Sequence, residues 1–162
     1  MGVCICYDRR WPETYRVLAL KGAEMVFLGY NTPDQPTDRP GVSHLANFHN
    51  MLSMQAGAYQ NGMWVVGVAK AGDEEGCQLL GESSIIAPSG EIRATCVTDG
   101  DELVVAEADL DLCANYKDTL FDFGYYRRPE VYGAITGQAG VEVPADVAAA
   151  LGRGGVDGEG ER

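Results

Sequence analysis

The sequence predicts an α/β fold, and three segments near its start carry that prediction. Residues 2–6 form an apolar run rich in Val, Ile and Cys, which is typical of a buried strand. A helix is predicted from Pro12, a residue that suits the first helical position, to a stop at Gly22. Met25–Leu28 is a second apolar run. A strand, a helix and a strand in this order indicate two parallel strands joined by a crossover helix.

Further loops, helices and strands follow in an order that suits such a fold. Residues 29–43 are expected to form a loop, because prolines, Asn31 and two aspartates fall within it. Residues 43–61 are predicted to be a helix that begins with Ser43 as N-cap and ends at Gly62. The remaining predictions are a strand over Met63–Lys70, an acidic loop over residues 71–80, a hairpin of Ser84–Ala87 with Glu91–Val97, a strand over Leu103–Ala108 and a short helix over Asp111–Thr119.

The composition changes near residue 137, which sets the expected domain boundary. The chain has 162 residues, of which 46% are hydrophobic, and both values are ordinary for a single globular domain. We expect residues 1–136 to belong to one folded domain. Residues 137–162 are rich in Gly, Ala and acidic residues, and we expect this tail to be disordered.

The charge balance excludes two classes of partner. The chain carries 24 acidic and 12 basic residues, a net charge of −12, which disfavours binding to nucleic acid or to an anionic membrane surface.

The sequence contains no apolar run as long as a transmembrane helix requires. The first residues also lack the basic lead-in of a signal peptide.

The cysteines and histidines give no sign of a metal site. Five cysteines are scattered without a CxxC pair, so we expect a reduced, cytoplasmic protein without structural zinc. His44 and His49 lie five residues apart on a predicted helix, a spacing that places two side chains on one face less well than three or four would. We therefore expect no metal and no cofactor.

Cys6 is the most informative residue of the sequence. It ends a predicted strand, and a predicted helix begins within a few residues, so its side chain would be held rigidly at a strand-to-helix turn. Helix N–H groups and the adjacent Arg9 and Arg10 would favour a thiolate there, as a nucleophile requires. The alternative is that Cys4 and Cys6 are two small apolar residues on one face of a strand.

Residues 2–13, with the sequence GVCICYDRRWPE, resemble the nucleophile motif of the nitrilase, or carbon–nitrogen hydrolase, superfamily. That motif is a strand followed by Cys, Tyr or Asn, Asp, a variable residue, Arg, an aromatic residue, Pro and Glu. The resemblance covers residues 1–136. It continues in Gly22-Ala23-Glu24, Gln60-Asn61-Gly62, Gly81-Glu82-Ser83-Ser84 and Pro88-Ser89-Gly90-Glu91.

Within the superfamily the chain is most similar to the N-carbamoyl-D-amino-acid hydrolases. Tyr7 departs from this subfamily, which usually has Asn there, whereas Tyr is common elsewhere in the superfamily. The departure bears on the substrate more than on the mechanism. The shared features are the double Arg and Trp after the nucleophile, Gly29-Tyr30-Asn31-Thr32-Pro33, His49, Leu52-Ser53-Met54-Gln55-Ala56-Gly57 and Arg128-Pro129-Glu130-Val131-Tyr132-Gly133.

The resemblance implies a fold and a mechanism. The fold would be the C-terminal half of a four-layer α-β-β-α sandwich, with residues 1–136 as the C-terminal part of a carbon–nitrogen hydrolase domain. Cys6 would attack the carbonyl carbon of a small amide or carbamoyl compound. The backbone N–H of Tyr7 would help to stabilise the oxyanion. No cofactor would take part, and the full-length protein would be a homo-oligomer.

The resemblance also suggests residues that bind the substrate. Arg9 and Arg10 would bind a substrate carboxylate, since arginine can do so with two parallel hydrogen bonds. Asn31 and Thr32 would add hydrogen bonds to the same group. Without the resemblance, each arginine could equally be solvated or paired with a nearby acid, and Asn-Thr-Pro would be an ordinary turn.

One departure from the family concerns the rest of the catalytic machinery. In the family a general-base Glu and an oxyanion-stabilising Lys precede the cysteine, but here only five residues precede Cys6. Neither Glu13, at the helix start, nor Lys70, at a strand end, matches those positions. We therefore expect this chain alone to be inactive, as a fragment of a longer enzyme or as a chain completed by another polypeptide.

The preferred function is hydrolysis of an N-carbamoyl amino acid to the amino acid, ammonia and carbon dioxide. One alternative is an aliphatic amidase or a carbamoylputrescine-type amidohydrolase, although an amine substrate would favour acids where this chain has Arg9 and Arg10. The alternative from another class is a non-catalytic remnant or an assembly module.

Overall fold

The computed structural model describes residues 1–34 and 45–150. The chain divides into two units, Met1–Tyr126 and Arg127–Arg162, which are described separately. The described residues of the first unit form a five-stranded sheet, a two-stranded hairpin and four α-helices. Its strands are β1 (Gly2–Ile5), β2 (Met25–Tyr30), β3 (Trp64–Ala69), β4 (Ala71–Glu74), β5 (Cys77–Leu80), β6 (Ser84–Ile86) and β7 (Ile92–Thr95). Its α-helices are α1 (Pro12–Leu20), α2 (Ala46–Asn61), α3 (Asp111–Lys117) and α4 (Phe123–Tyr126).

The sheet has the strand order β1-β2-β3-β6-β7. The pairs β1–β2 and β2–β3 are parallel, while β6 and β7 join in antiparallel fashion. The α1 helix is the crossover between β1 and β2, as the strand–helix–strand pattern predicts. The predicted α/β class is therefore confirmed.

One face of the sheet is covered by α1 and α2. Pro12 occupies the first turn of α1, and Gly62 ends α2 with a left-handed φ of 55°, as predicted from the sequence. Gly57 on α2 lets the ring of Tyr15 on α1 pack closely, since a Cβ atom there would lie 2.7 Å from that ring. The buried apolar residues of this layer are Cys4, Tyr15, Ala19, Ala23, Val26, Leu28, Tyr30, Met54, Ala58, Met63, Val65 and Ile86.

The opposite face of the sheet is covered only in part. Trp64 is buried there against Cys113, which α3 supplies. On the same face toward the carboxyl ends of the strands, Val3, Ile5 and Val68 are 77%, 69% and 58% exposed. A soluble domain seldom leaves such a patch open, so a further layer is expected on this face. The arrangement matches one half of a layered sandwich.

The acidic loop predicted over residues 71–80 is wrong, because β4 and β5 form a hairpin there. Glu75 and Gly76 form its two-residue turn, and both have a positive φ, 55° and 82°, as a type I′ turn requires. The side chain of Asp73 stabilises the turn by accepting a hydrogen bond from the N–H of Gly76. Acidic residues and glycine disfavour strands, which is why the composition misleads here.

The strand predicted over Leu103–Ala108 is also absent from the structure. Exposure alternates along this segment, with Leu103 and Val105 on the exposed side, as it would in a strand. However, the described part of the chain provides no ladder partner for it, and a strand exists only by pairing.

Up to residue 150, the second unit contains two α-helices, α5 (Gly133–Gly137) and α6 (Ala145–Ala150). The α6 helix lies within the tail of residues 137–162, for which disorder stays a prediction, and its alanines favour a helix. Ser43 and the glycine-rich stretch after residue 150 lie outside the described residues. Among the helices that are described, none combines the length and apolar character needed to cross a membrane.

Candidate active site

Cys6 lies immediately beyond β1, at the edge where the parallel strands end. It begins a 3₁₀-helix, Cys6–Arg10, which leads into α1. Its φ is +44°, a left-handed conformation that is uncommon for residues other than glycine. Such strained turns between a strand and a helix recur at nucleophiles, which they hold rigidly outside the sheet. The predicted strand-to-helix position of Cys6 is confirmed.

The turn is closed by a local hydrogen bond. The backbone N–H of Ile5 donates to the carboxylate of Asp8 at 2.9 Å. This contact ties the last residue of β1 to the 3₁₀-helix on the far side of Cys6. The side chain of Tyr7 is exposed and packs edge-on against Trp11, with ring centroids 5.8 Å apart.

Cys4 and Cys6 occupy different environments. Cys4 is 7% exposed and belongs to the core, and its burial raises the pKa of the thiol to about 11. Cys6 packs only partly against the edge of that core. The interpretation of both residues as small apolar groups therefore applies to Cys4 but not fully to Cys6.

This difference predicts an order of reaction with iodoacetamide at mildly alkaline pH. Cys6 should be alkylated well before Cys4 and Cys113, because burial raises the pKa of both of those thiols and shields them. Peptide mapping after partial labelling measures the order. Cys77, a half-buried thiol at the β4–β5 hairpin, is the internal reference for accessibility alone. Slower labelling of Cys6 than of Cys77 would contradict a reactive nucleophile.

Arg9 is the most deeply buried charged group of the site, with 1% of its surface exposed. Its Nε donates to Asn50 Oδ1 at 2.7 Å, Nη1 to the carbonyl oxygen of Cys6 at 2.5 Å, and Nη2 to Thr32 Oγ1 at 2.7 Å. The guanidinium also stacks over the ring of Tyr30, 4.3 Å from its centroid. Burial, followed by the charge of neighbouring Arg10, lowers the pKa of Arg9. Substrate binding by Arg9 stays a prediction, but its nitrogens are already engaged.

Tyr30 and Asn50 complete this buried cluster, and neither is predicted from the sequence to have a role in the site. The side-chain N–H of Asn50 donates to the Tyr30 hydroxyl at 3.1 Å, and burial raises the pKa of that hydroxyl. A signal for Asn50 was present in the sequence. It lies four residues before Met54 and eight before Ala58, which places a polar side chain on the apolar stripe of α2.

Arg10 is placed quite differently from Arg9. Its side chain is exposed, and no hydrogen bond or ion pair to another described residue engages its guanidinium. It lines a cavity of about 220 Å³ between the 3₁₀-helix and α2, together with Tyr15, His49 and Ser53. Of the two arginines, Arg10 is thus the one free to meet a ligand in the described part of the chain.

The other predicted site residues follow β2. Thr32 accepts the hydrogen bond from Arg9, and its backbone carbonyl accepts one from Leu80, so it is joined to the site through Arg9. Asn31 is exposed. The structure therefore brings Cys6, Arg9 and Thr32 together.

Two residues considered as substitutes for the missing base and lysine have other surroundings. Lys70 forms an ion pair with Glu74 in the β4–β5 hairpin, and Glu13 is an exposed residue in the first turn of α1.

Among the described residues there is no group of three or more His, Cys, Asp or Glu side chains able to hold a metal ion. His44 lies outside those residues.

Comparison with known proteins gives a consistent match. Residues 1–118 match the family described as carbon-nitrogen hydrolase. A nitrilase of Pyrococcus abyssi is 32% identical over 136 residues, and an N-carbamoylputrescine amidase of Arabidopsis thaliana is 28% identical over 145 residues. These alignments cover 82% and 83% of this chain but 46% of each relative. The chain thus spans about half the length of the curated relatives it matches.

Two solved structures resemble this one. A carbon-nitrogen hydrolase from Helicobacter pylori G27 superposes with a TM-score of 0.72 at 22% identity, over 84% of this chain and 48% of that one. The NitFhit protein of C. elegans superposes with a TM-score of 0.69 at 26% identity, over 81% of this chain and 29% of that one. The fold is that of the nitrilase superfamily, and the expectation of a partial sandwich is confirmed.

Proposed function

The chain belongs to the carbon–nitrogen hydrolase family, and on that premise we propose that it supplies the nucleophile for hydrolysis of a non-peptide C–N bond. The observation that carries the proposal is Cys6, held with a positive φ at the turn between β1 and the 3₁₀-helix. A nucleophile needs a fixed direction of attack, and such a turn provides one.

The proposed chemistry begins with attack of the Cys6 sulfur on the carbonyl carbon. The C–N bond then breaks, and the amine leaves with one added proton. Water hydrolyses the resulting thioester and regenerates the thiol. The backbone N–H of Tyr7 donates to the oxyanion in both steps, a contribution that is commonly a few kcal/mol per donor. A base and a second oxyanion donor are also needed, and we assign neither to a described residue.

We propose an N-carbamoyl amino acid as the substrate. Attack on its carbamoyl carbon would release the amino acid, and hydrolysis of the S-carbamoyl intermediate would give carbamic acid, which decomposes to ammonia and carbon dioxide. The support is Arg10, a cation four residues after the nucleophile that no described residue engages and that is suited to a carboxylate. The homo-oligomeric state and the cytoplasmic location remain predictions that accompany this proposal.

Arg10→Gln is expected to lower kcat/KM for an N-carbamoyl amino acid much more than for a plain amide. Loss of a charged hydrogen-bond partner costs on the order of 2–5 kcal/mol, which corresponds to roughly thirtyfold or more. Arg10→Lys should rescue only part of the loss, because lysine has no planar fork. The effect is measured as the rate of ammonia release from each of the two substrates, in a preparation of the protein that hydrolyses them.

The matched control is Arg93→Gln, an exposed arginine on β7. Equal activity of the wild type and Arg10→Gln toward the acidic substrate would contradict a carboxylate role. If the wild type hydrolyses carbamoylputrescine or plain amides faster than it hydrolyses N-carbamoyl amino acids, the amidase alternative is favoured. Absence of turnover on every substrate by an assembled, folded protein would favour a non-catalytic remnant.

A further inference from the structure

Resting on the proposed function, we propose that Arg9 is a positioning residue that sets the direction of the oxyanion donor, the backbone N–H of Tyr7. The observation is the hydrogen bond from Arg9 Nη1 to the carbonyl oxygen of Cys6, 2.5 Å long. That carbonyl and the N–H of Tyr7 belong to one peptide group. Holding one of them therefore constrains the other.

The geometry of the peptide bond makes this coupling rigid. The group is planar and trans, so its C=O and N–H point in opposite directions. With the oxygen of Cys6 drawn toward the buried guanidinium, the N–H of Tyr7 must point away from the cluster. As the second residue of the 3₁₀-helix, Tyr7 also has no partner for its N–H within that helix. The backbone N–H of Tyr7 is thus oriented, and the 3₁₀-helix itself does not use it as a donor.

The turn needs such a restraint because its backbone is strained. Cys6 has a φ of +44°, a conformation that a side-chain-bearing residue leaves unless its surroundings hold it. The bond to Arg9 joins Cys6 to a group that cannot move, since Arg9 is 1% exposed. The hydrogen bond from Ile5 to Asp8 restrains the chain just before the turn, and Arg9 restrains the peptide just after it.

Arg9 is itself fixed from three other places in the fold. Asn50 of α2 accepts from Nε, Thr32 after β2 accepts from Nη2, and the ring of Tyr30 at the end of β2 lies under the guanidinium. Each of its three nitrogens therefore donates to a protein oxygen. An oxyanion site works by being organised before the charge develops, and this cluster provides that organisation. It also leaves Arg9 poorly placed to bind a substrate carboxylate, a role we give to Arg10.

The sequence allows a direct measurement on the peptide group. Cys6–Tyr7 is the one Cys–Tyr dipeptide in the chain. A sample of the full chain with carbonyl-¹³C cysteine and ¹⁵N tyrosine therefore gives one carbonyl–amide cross-peak, which belongs to this peptide. The wild type should give one narrow peak. Arg9→Gln should broaden or split it and shift the carbonyl frequency, because the charged hydrogen bond is lost.

The amides of Tyr59 and Tyr116, outside the cluster, report whether each variant remains folded, and Arg93→Gln is the matched control. Arg9→Lys keeps the charge, but its single nitrogen cannot reach the three acceptors that Nε, Nη1 and Nη2 of arginine serve in different directions, so it should also disturb the peak. Thr32→Val keeps Arg9 and removes one of its anchors, and a smaller broadening is expected. If Arg9→Gln does not fold, the other two variants decide. The assignment is overturned if the peak keeps its position and width in a folded Arg9 variant. If neither Arg9 variant folds, an unchanged peak in Thr32→Val overturns it instead.

Turnover gives an independent readout. In a preparation that hydrolyses the substrate, Arg9→Gln should lower kcat about tenfold or more with KM changed less than about threefold, the pattern of a lost transition-state interaction. A rise in KM alone would instead indicate substrate binding and overturn the positioning role. If a preparation that also supplies a base and a second oxyanion donor hydrolyses no C–N bond, the proposed function fails, and the cross-peak of the chain still decides the role of Arg9.

Discussion

Replacing Cys6 by alanine is expected to abolish hydrolysis in any preparation of the protein that performs it. The proposed reaction passes through a covalent bond to the Cys6 sulfur, which the buried thiols of Cys4 and Cys113 cannot replace. Cys4 points into the core from the same strand, and Cys113 is buried in α3 on the opposite face of the sheet. The loss should be on the order of 10⁴-fold or more in kcat, the scale seen when covalent catalysis loses its nucleophile.

The variant should fold, because Cys6 packs only partly against the core. Circular dichroism and urea unfolding test this point beside the activity assay. Cys77→Ala, at an accessible hairpin thiol, is the matched control and should retain activity. Retention of more than a few per cent of the wild-type rate by a folded Cys6→Ala protein, freed of wild-type contamination, would exclude the proposed nucleophile.

Much of the site could be predicted from local sequence. An apolar run, a cysteine and then Pro12 at a helix start specify a strand-to-helix turn, because each of these signals acts within a few residues. The end of α2 at Gly62 is predictable for the same reason, because it depends on the left-handed φ that this glycine itself adopts easily. Such features depend on backbone preferences, which a single sequence displays directly.

The role of Arg9 could not be predicted in this way. Its partners Thr32 and Asn50 lie 23 and 41 residues further along the chain, and the parallel crossover brings them together only in the folded sheet. Sequence adjacency instead suggested a common role for Arg9 and Arg10. In the structure one points into the core and the other to solvent, because consecutive residues of a helix face different directions.

The segment Leu103–Ala108 shows a second limit. Its alternation of exposed and half-buried residues is that of a strand, but pairing decides whether a strand exists, and the described residues offer it no partner. The exposed side chains of Val3, Ile5 and Val68 lie on the face of the sheet that the described residues cover only in part. Both observations point to a further layer of structure that would pair with this segment and cover this face.

The second large effect concerns the chain on its own: residues 1–162, expressed alone, should show no Cys6-dependent hydrolysis of N-carbamoyl amino acids. The family places a lysine at the oxyanion, and this chain has three lysines. Lys21 follows α1 at the end of the crossover, which returns to the amino ends of the strands, opposite Cys6. Lys117 donates to the backbone carbonyl of Ala23, at that same end, and Lys70 is paired with Glu74.

A cysteine without a positioned base and a second oxyanion donor keeps a nucleophile but little means of moving protons or stabilising charge. Each missing group commonly costs a factor on the order of 10²–10⁴, so turnover should fall below detection. The assay needs monodisperse protein, checked by size-exclusion chromatography, since the exposed apolar face favours self-association. Ammonia release by the purified wild type and by Cys6→Ala should be indistinguishable. Robust release that disappears in Cys6→Ala would mean that this chain contains a base and an oxyanion donor in positions other than those the family uses.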